Sequence, residues 1–352
     1  MQKKIEAPYG AKSYSEILES GLDYIHKRRE GIIKSIKTPW PTLNDAGVGG
    51  LEWNSLLTIA ARPGAGKTMF VSQILRESKL LNADQQFNIL EFQFEMGEKQ
   101  IASRAFAAEL ALDYGTVLST KKQLDEFSFK RIGQFVEDTK ALEILGVQRK
   151  IITTPLTTKN MEKAIHTWYN AMGQAPLIVT VDHSWLIKRD IDEREKLNTL
   201  YNNVEMLMNI KRDLPIIVIM ISQLNRNIEE PSRKSPGSVV NYPTGSDVFG
   251  GDALQQGSDM LAVLSRPHTM QINCYGPKEY MVGKDDIFLH ILKSRNNSDE
   301  NNLVFLKADF EKQSVYECGE PQAANPTAAR FTSRRAGGNG RQRPVESADI
   351  DV

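Results

Sequence analysis

The stretch Ala61-Arg62-Pro63-Gly64-Ala65-Gly66-Lys67-Thr68 limits what this chain can fold into more than any other part of it. A short apolar run, Leu56-Leu57-Thr58-Ile59-Ala60, leads into it and has the length of a buried strand. Met69-Phe70-Val71-Ser72-Gln73-Ile74-Leu75 comes next, with apolar residues at helical spacing. Strand, tight glycine-containing turn and helix together form the setting in which a P-loop cradles phosphate. Gly64 and Gly66 admit positive φ and let the backbone approach an anion closely. The loop N–H groups and the helix N-terminus then supply partial positive charge. Lys67 falls where it reaches β- and γ-phosphates, and the Thr68 hydroxyl where it ligates Mg²⁺. The first position departs from the pattern, being Ala61 in place of glycine. The reading is a nucleoside-triphosphate site running from Ala61 to Thr68, with ATP or another nucleoside triphosphate, and Mg²⁺, as cofactors.

With 352 residues and 40% hydrophobic content, the chain can bury a large core. Lys and Arg number 44, as do Asp and Glu, so no global basic bias announces a nucleic-acid partner. Net charge is silent about a locally basic channel. Cys274 and Cys318 lack metal-ligand spacing and suggest a reducing compartment. No apolar run approaches the ~20 residues of a membrane span, and the first residues lack a signal-peptide core. A cytoplasmic protein with no membrane partner is expected.

Tyr14, Ile17, Leu18, Leu22 and Ile25 recur at helical spacing, with Ser13 and Glu16 placed as a capping box. The Thr38-Pro39-Trp40-Pro41 stretch separates this helix from the strand and P-loop. Two readings stand: an ordinary helix packed on its own domain, or a linker helix that docks on a neighbouring subunit. Beyond the P-loop, Phe87 to Phe94 reads as a strand, with Glu95 at its tip and a helix from Met96 to Leu110. Glu95 is placed to polarise an attacking water, and Glu98 is the competing carboxylate. Residues 113–150 carry little signal.

Pro176 to Val181 is a buried strand ending in Asp182, the arrangement in which an acid helps to hold Mg²⁺. His183 reads as a local hydrogen-bonding residue. A charged amphipathic helix over 192–213 leads to the strand Ile216–Ile221, which runs into Ser222-Gln223-Leu224-Asn225-Arg226. Gln223 is positioned to sense a γ-phosphate. Acidic and polar residues at successive strand ends imply an α/β fold with a mostly parallel sheet and ligands at its carboxyl edge. Residues 226–252 read as a long loop, and long loops in compact domains are usually functional. Arg226, Arg233 and Lys234 supply its charge, and Gly250 and Gly251 are among the glycines that punctuate it. Later come the strand Ile287–Leu292, then Lys293-Ser294-Arg295-Asn296, and a partner strand over 302–310. Residues 319–352 read as a disordered tail, whose Arg330, Arg334, Arg335, Arg341 and Arg343 are most simply solvated.

The order of these motifs resembles the ATPase domain of DnaB-type hexameric replicative helicases, in a short form like those some phages encode. The resemblance rests on Thr38-Pro39-Trp40-Pro41-Thr42-Leu43-Asn44, the P-loop, Phe94-Glu95-Met96 with Arg104, and Val181-Asp182. It continues through Ser222 to Arg226, Gln255-Gln256 with Asp259, and Lys293-Ser294-Arg295-Asn296. It implies a RecA-like core over 38–318, preceded by an N-terminal segment and linker helix over 1–37. It also implies that Glu95 is the catalytic glutamate, Gln223 the γ-phosphate sensor, and Lys293 and Arg295 a basic pair reaching a neighbour's ATP.

The implied activity is ATP-driven 5′ to 3′ translocation on single-stranded DNA by a homo-oligomeric ring, a hexamer, with a primase and a helicase loader as possible partners. The N-terminal domain of the bacterial enzymes has no room before residue 38, which puts primase contact in doubt. Bacterial members carry an Arg-Glu pair in the DNA-contacting loop where this chain has Phe249-Gly250; the resemblance makes Arg226, Arg233 and Lys234, with the amides near Gly250 and Gly251, the candidates for contact with a single DNA strand. The alternatives are a RecA-like recombinase, which forms filaments instead of rings, and a non-translocating assembly ATPase.

Overall fold

The computed structural model describes residues 10–182, 186–190, 193, 195–234, 241–295 and 302–324. His183, the tail arginines and Asn296 lie outside the described residues. The chain opens with helix α1 (Tyr14–Arg29) and the short α2 (Pro41–Ala46), then strand β1 (Ser55–Ala61) and helix α3 (Lys67–Leu81). Next come β2 (Asn88–Gln93), α4 (Glu98–Leu110), α5 (Tyr114–Val117), α6 (Glu126–Ile144), β3 (Arg149–Ile152) and α7 (Thr158–Ala171). The second half carries β4 (Leu177–Asp182), α8 (Lys196–Asp213), β5 (Ile216–Gln223), α9 (Gly251–Gly257) and β6 (Met260–Ser265). It ends in two-residue strands β7 (Cys274–Tyr275) and β8 (Tyr280–Met281), then β9 (Asp286–Ser294), β10 (Asn302–Asp309) and β11 (Ser314–Glu317).

Among the described residues, nine strands form one sheet in the order β11-β10-β9-β6-β1-β5-β4-β2-β3. The six from β6 to β3 pair in parallel, and the three on the β9 side are antiparallel. The near-continuous apolar runs of β1, β4 and β5 follow from burial on both faces, as in sheets sandwiched by helices. Alternate residues serve opposite layers: Leu57 and Ile59 pack with Phe70 and Ile74 of α3, while Leu56 and Ala60 share a layer with Leu207 and Ile210 of α8.

Trp40 fastens the Pro-rich stretch to this body. Its ring is fully buried, stacks on Phe70 with centroids 3.8 Å apart, and donates from Nε1 to the Val315 carbonyl at 3.1 Å. Trp40→Ala should therefore cost ~3–5 kcal/mol, seen as a lowered urea midpoint at unchanged slope. A loss within about 1 kcal/mol would mean that the ring does not couple α3 to β11.

Several elements differ from the sequence reading. It contains no counterpart of β6, and β3, α6 and α7 fall in stretches to which it assigns no element. The 226–252 stretch contains short 3₁₀ turns at Arg226–Glu229, Pro231–Lys234 and Gly245–Asp247. Packing also continues past residue 318. Ala323 bridges to Tyr280, and Glu320 pairs with Lys278 and Tyr280, so residues 319–324 belong to the folded body and not to a tail.

α1 carries the expected capping box at Ser13 and Glu16. Its last turn is moored to the domain by Arg28, which reaches Glu52 at 3.4 Å and Ser35 and Val48 O at 3.1 Å. The apolar stripe is left bare: Tyr14, Ile17, Leu18, Leu22 and Ile25 are each more than half exposed. The helix does not pack its stripe on its own domain.

Candidate active site

Ala61 ends β1, and the chain turns through the P-loop into α3. Ala61 lies in extended backbone and is fully buried, so this position does not require glycine. Gly66 does: it caps α3 at φ +92°, a conformation that L side chains rarely adopt. Arg62 is held away from the loop mouth by Glu229 and by the Leu224 carbonyl at 3.0 Å. Pro63, Gly64, Gly66, Lys67 and Thr68 line a cleft of about 400 Å³, and Ala65 is buried behind them.

Three neighbouring strands deliver the other groups. Lys67 Nζ rests on the Ala61 carbonyl at 3.2 Å. Burial pulls its pKa below the ordinary lysine value, against the pull of Asp182 and Glu95, while Arg62 lowers it further. Thr68 Oγ1 stands 3.5 Å from Asp182 Oδ2, and Asp182 is almost wholly buried at the end of β4. Hydroxyl and carboxylate oxygens are the hard ligands that Mg²⁺ takes together with substrate phosphates. Glu95 lies two residues beyond β2 and is exposed at the cleft; Gln223, the last residue of β5, lies beside Ala61. Glu98 instead opens α4, in its first turn, where it favours the helix dipole.

The sequence reading missed the cleft's far wall. Phe310 and Gln313, in the turn between β10 and β11, line it. Arg266 sits 4.1 Å from the Phe310 ring centroid and donates to Gly64 O at 3.3 Å and Lys284 O at 2.8 Å. An aromatic residue directly after an alternating strand was the available signal.

Lys293 and Arg295 lie elsewhere. β9 runs antiparallel to β6, so its end lies at the opposite edge of the sheet from the P-loop. Arg295 N–H bonds to Asp259 O, and Asp259 N–H to Leu56 O, five residues before Ala61. That is ~16 Å back along the strand. Arg295 pairs with Asp259 Oδ1 at 3.0 Å and reaches Gln256 O at 3.1 Å, with Lys293 on the Gln255 and Gln256 carbonyls beside it.

The loop candidates separate as well. Arg233 turns inward, pairing with Asp247 and the Tyr242 carbonyl at 2.8 Å. Burial alone would raise the Asp247 carboxyl, but bonds from Arg233 and Thr244 outweigh it and hold it below the usual range. Arg226 is exposed and Lys234 half-buried. Gly250 caps α9, where a Cβ would meet Leu200 at 2.2 Å, and one on Gly251 would meet the Gly245 carbonyl at 2.7 Å. Close packing is reason enough for both glycines.

A P-loop at the carboxyl edge of a mostly parallel, helix-flanked sheet, facing two acids and a glutamine from neighbouring strands, is the arrangement of a RecA-like ATPase domain. The chain matches the family model of the DnaB-like helicase C terminal domain over residues 25–313, and it belongs to that family. The replicative DNA helicase DnaB of Haemophilus influenzae is 24% identical over 290 residues, covering 80% of this chain and 58% of the relative. That of Helicobacter pylori is 22% identical over 323 residues, covering 91% and 60%. The chain thus spans about three fifths of the length of these relatives. Its fold is similar to a DnaB-like replicative helicase solved with a view to its interactions with primase, at TM-score 0.68 and 19% identity, covering 88% of this chain and 68% of that one. It is likewise similar to a second solved ATPase domain, at TM-score 0.67 and 18% identity, covering 86% and 99%.

Proposed function

We propose that this chain is the motor of a ring-forming, ATP-driven replicative DNA helicase that translocates 5′ to 3′ on single-stranded DNA in the cytoplasm. The carrying observation is a split site. Lys67, Thr68, Asp182, Glu95 and Gln223 face one cleft, while Arg295 and Lys293 stand at the opposite edge of the same sheet. In this reading Lys67 holds the β- and γ-phosphates, Thr68 and Asp182 hold Mg²⁺, and Glu95 takes the attacking water's proton. Gln223 senses the γ-phosphate, and Arg295, assisted by Lys293, comes from the adjacent subunit. When bound, the metal neutralises charge on the phosphates. A site completed by a different surface patch requires a head-to-tail interface, which closes into rings or runs on as filaments.

Two bare apolar faces support assembly: the α1 stripe, and Phe127, Phe129, Ile144 and Leu145 on and just after α6. The reading takes residues 1–37 as the linker and the ring as a hexamer. DNA contact is assigned to Arg226, Lys234 and the amides around Gly250 and Gly251, with Arg233 shaping the loop from within. Such contacts track phosphates and ignore sequence. A primase and a loader remain partners by family resemblance.

Forked duplexes with a single 5′ or 3′ tail test the proposal. Unwinding of the 5′-tailed fork with ATP is expected, and Glu95→Gln should bind ATP and assemble but not unwind, since an amide cannot accept the water's proton. Filaments without unwinding by electron microscopy would favour the recombinase, and hydrolysis without strand separation the assembly ATPase. Normal turnover in Glu95→Gln with a dead Glu98→Gln would move the catalytic role to Glu98.

A further inference from the structure

We propose that Gln93 is a positioning residue for the metal–nucleotide complex, its Oε1 accepting a hydrogen bond from a water held by the Mg²⁺ that Thr68 and Asp182 bind. The inference rests on the nucleotide-site reading above. Gln93 ends β2 directly beside Asp182 at the end of β4. Residues paired across parallel strands project from one face, with the strands ~4.8 Å apart. Asp182 faces Thr68, and Gln93 and Thr68 line one cavity of about 200 Å³ behind the start of α3. That cavity shares Thr68, Met69, Arg104 and Gln313 with the nucleotide cleft.

Gln93 is 4% exposed, and its Oε1 has no donor among the described residues. Buried acceptors are almost always satisfied, so an orphan beside a ligand site points to a donor that arrives with the ligand. The amide cannot relieve itself by turning over. Nε2 donates to Glu91 Oε2 at 3.4 Å, and Glu91 is buried and ion-paired with Arg149. An ionised carboxylate only accepts, so a flipped amide would set two oxygens against each other. The cavity's nearby cations are engaged elsewhere: Arg76 with Gln313 O and Glu77, and Arg104 over the Tyr114 ring. Mg²⁺ keeps several of its waters when bound beside phosphates, and each is a strong donor in need of an outward acceptor.

The test is titration of a fluorescent ATP analogue into the full chain, with Mg²⁺ and in EDTA, for the wild type, Gln93→Met and Gln93→Glu. Outer-shell partners of a bound metal are typically worth ~10–100-fold in its affinity. Gln93→Met, similar in size but without the acceptor, should lose ~10-fold of the Mg²⁺-dependent gain and leave the affinity in EDTA unchanged. Gln93→Glu keeps the pattern as a neutral acid, since burial beside Glu91 and Asp182 disfavours a third charge. Its O–H donates to Glu91 as Nε2 does and its carbonyl oxygen still accepts, so its Mg²⁺-dependent gain should match the wild type's. An unchanged gain in Gln93→Met, or equal losses with and without metal, would overturn the proposal by reducing Gln93 to a packing residue. If Gln93→Met does not fold, Gln93→Glu decides, and a smaller gain in that variant overturns it. A wild type that gains nothing from Mg²⁺ would instead remove the nucleotide-site reading, and the inference with it.

Discussion

Lys67→Ala abolishes ATP hydrolysis: with saturating Mg²⁺ and ATP, phosphate release should fall by ~10²–10³ or more, the scale seen when a preorganised charge-stabilising group is lost. The ammonium begins α3 and is buried enough for its pKa to drop, yet Asp182 and Glu95 counter that drop. Such a charge is held without much water and is free to move from the Ala61 carbonyl to an arriving phosphate. The three nearby arginines are engaged elsewhere: Arg62 by Glu229 and Leu224 O, Arg266 by Lys284 O and the Phe310 ring, and Arg104, on the cleft wall, by the Tyr114 ring. Lys67→Arg should be nearly as inactive, since a planar fork cannot occupy the place of a compact ammonium. Hydrolysis near the wild-type rate in Lys67→Ala would remove the P-loop assignment altogether.

The sequence made the phosphate side of this cleft legible and left its other wall obscure, for a physical reason. Lys67, Thr68, Asp182, Glu95 and Gln223 each sit at or just after an apolar run, and a run buried on both faces stands out in any sequence. Strand tips in a parallel sheet share one edge, so their residues converge without any long-range information. Phe310 and Gln313 belong to the antiparallel side, where a side chain's destination depends on hairpin geometry and not on run length, and Arg266 follows β6, a parallel strand that the sequence reading passes over. β3 is short and only half-buried at the sheet's edge, so Arg149–Ile152 carries no strong pattern. β6 is different. Met260-Leu261-Ala262-Val263-Leu264 is as apolar as β4, but it runs into Ser265-Arg266-Pro267 and lacks the terminal acid or amide that marks a strand of the site.

The same contrast explains the charged loop residues. Arg233 looks like a solvent-facing cation in sequence, and only the fold reveals Asp247, 14 positions away, beneath it. Glu91 is the converse, a carboxylate in the middle of a buried strand that is tolerable only because β3 brings Arg149 alongside. Unpaired, it would carry the full penalty of a buried charge.

Arg295→Ala should lose ATPase activity by ~10³–10⁵-fold, the worth of an arginine finger, although the residue touches nothing in its own nucleotide cleft. Its backbone is tied through Asp259 to the start of β1, while the P-loop leaves from that strand's end. A short-range rescue within one chain is therefore sterically out of reach. In the isolated chain Arg295 is half exposed and leans on Asp259, which also binds Lys211. Because Asp259 keeps Lys211 as a partner, the guanidinium can leave for a neighbour's phosphate without stranding a bare carboxylate. Arg295 is about half exposed at its end of the pair, so solvent screens the attraction and can replace it as the guanidinium leaves. Mixing decides between a finger and a surface charge. Lys67→Ala subunits lack a working P-loop and Arg295→Ala subunits lack the finger, so each preparation should be inactive alone. In mixed rings, a Lys67→Ala subunit still offers its Arg295 to the intact P-loop of an Arg295→Ala neighbour, and ATPase should rise above the sum of the parents. If subunit exchange is verified and the mixture stays as inactive as its parts, Arg295 does not act across the interface, and the head-to-tail ring loses its chemical reason.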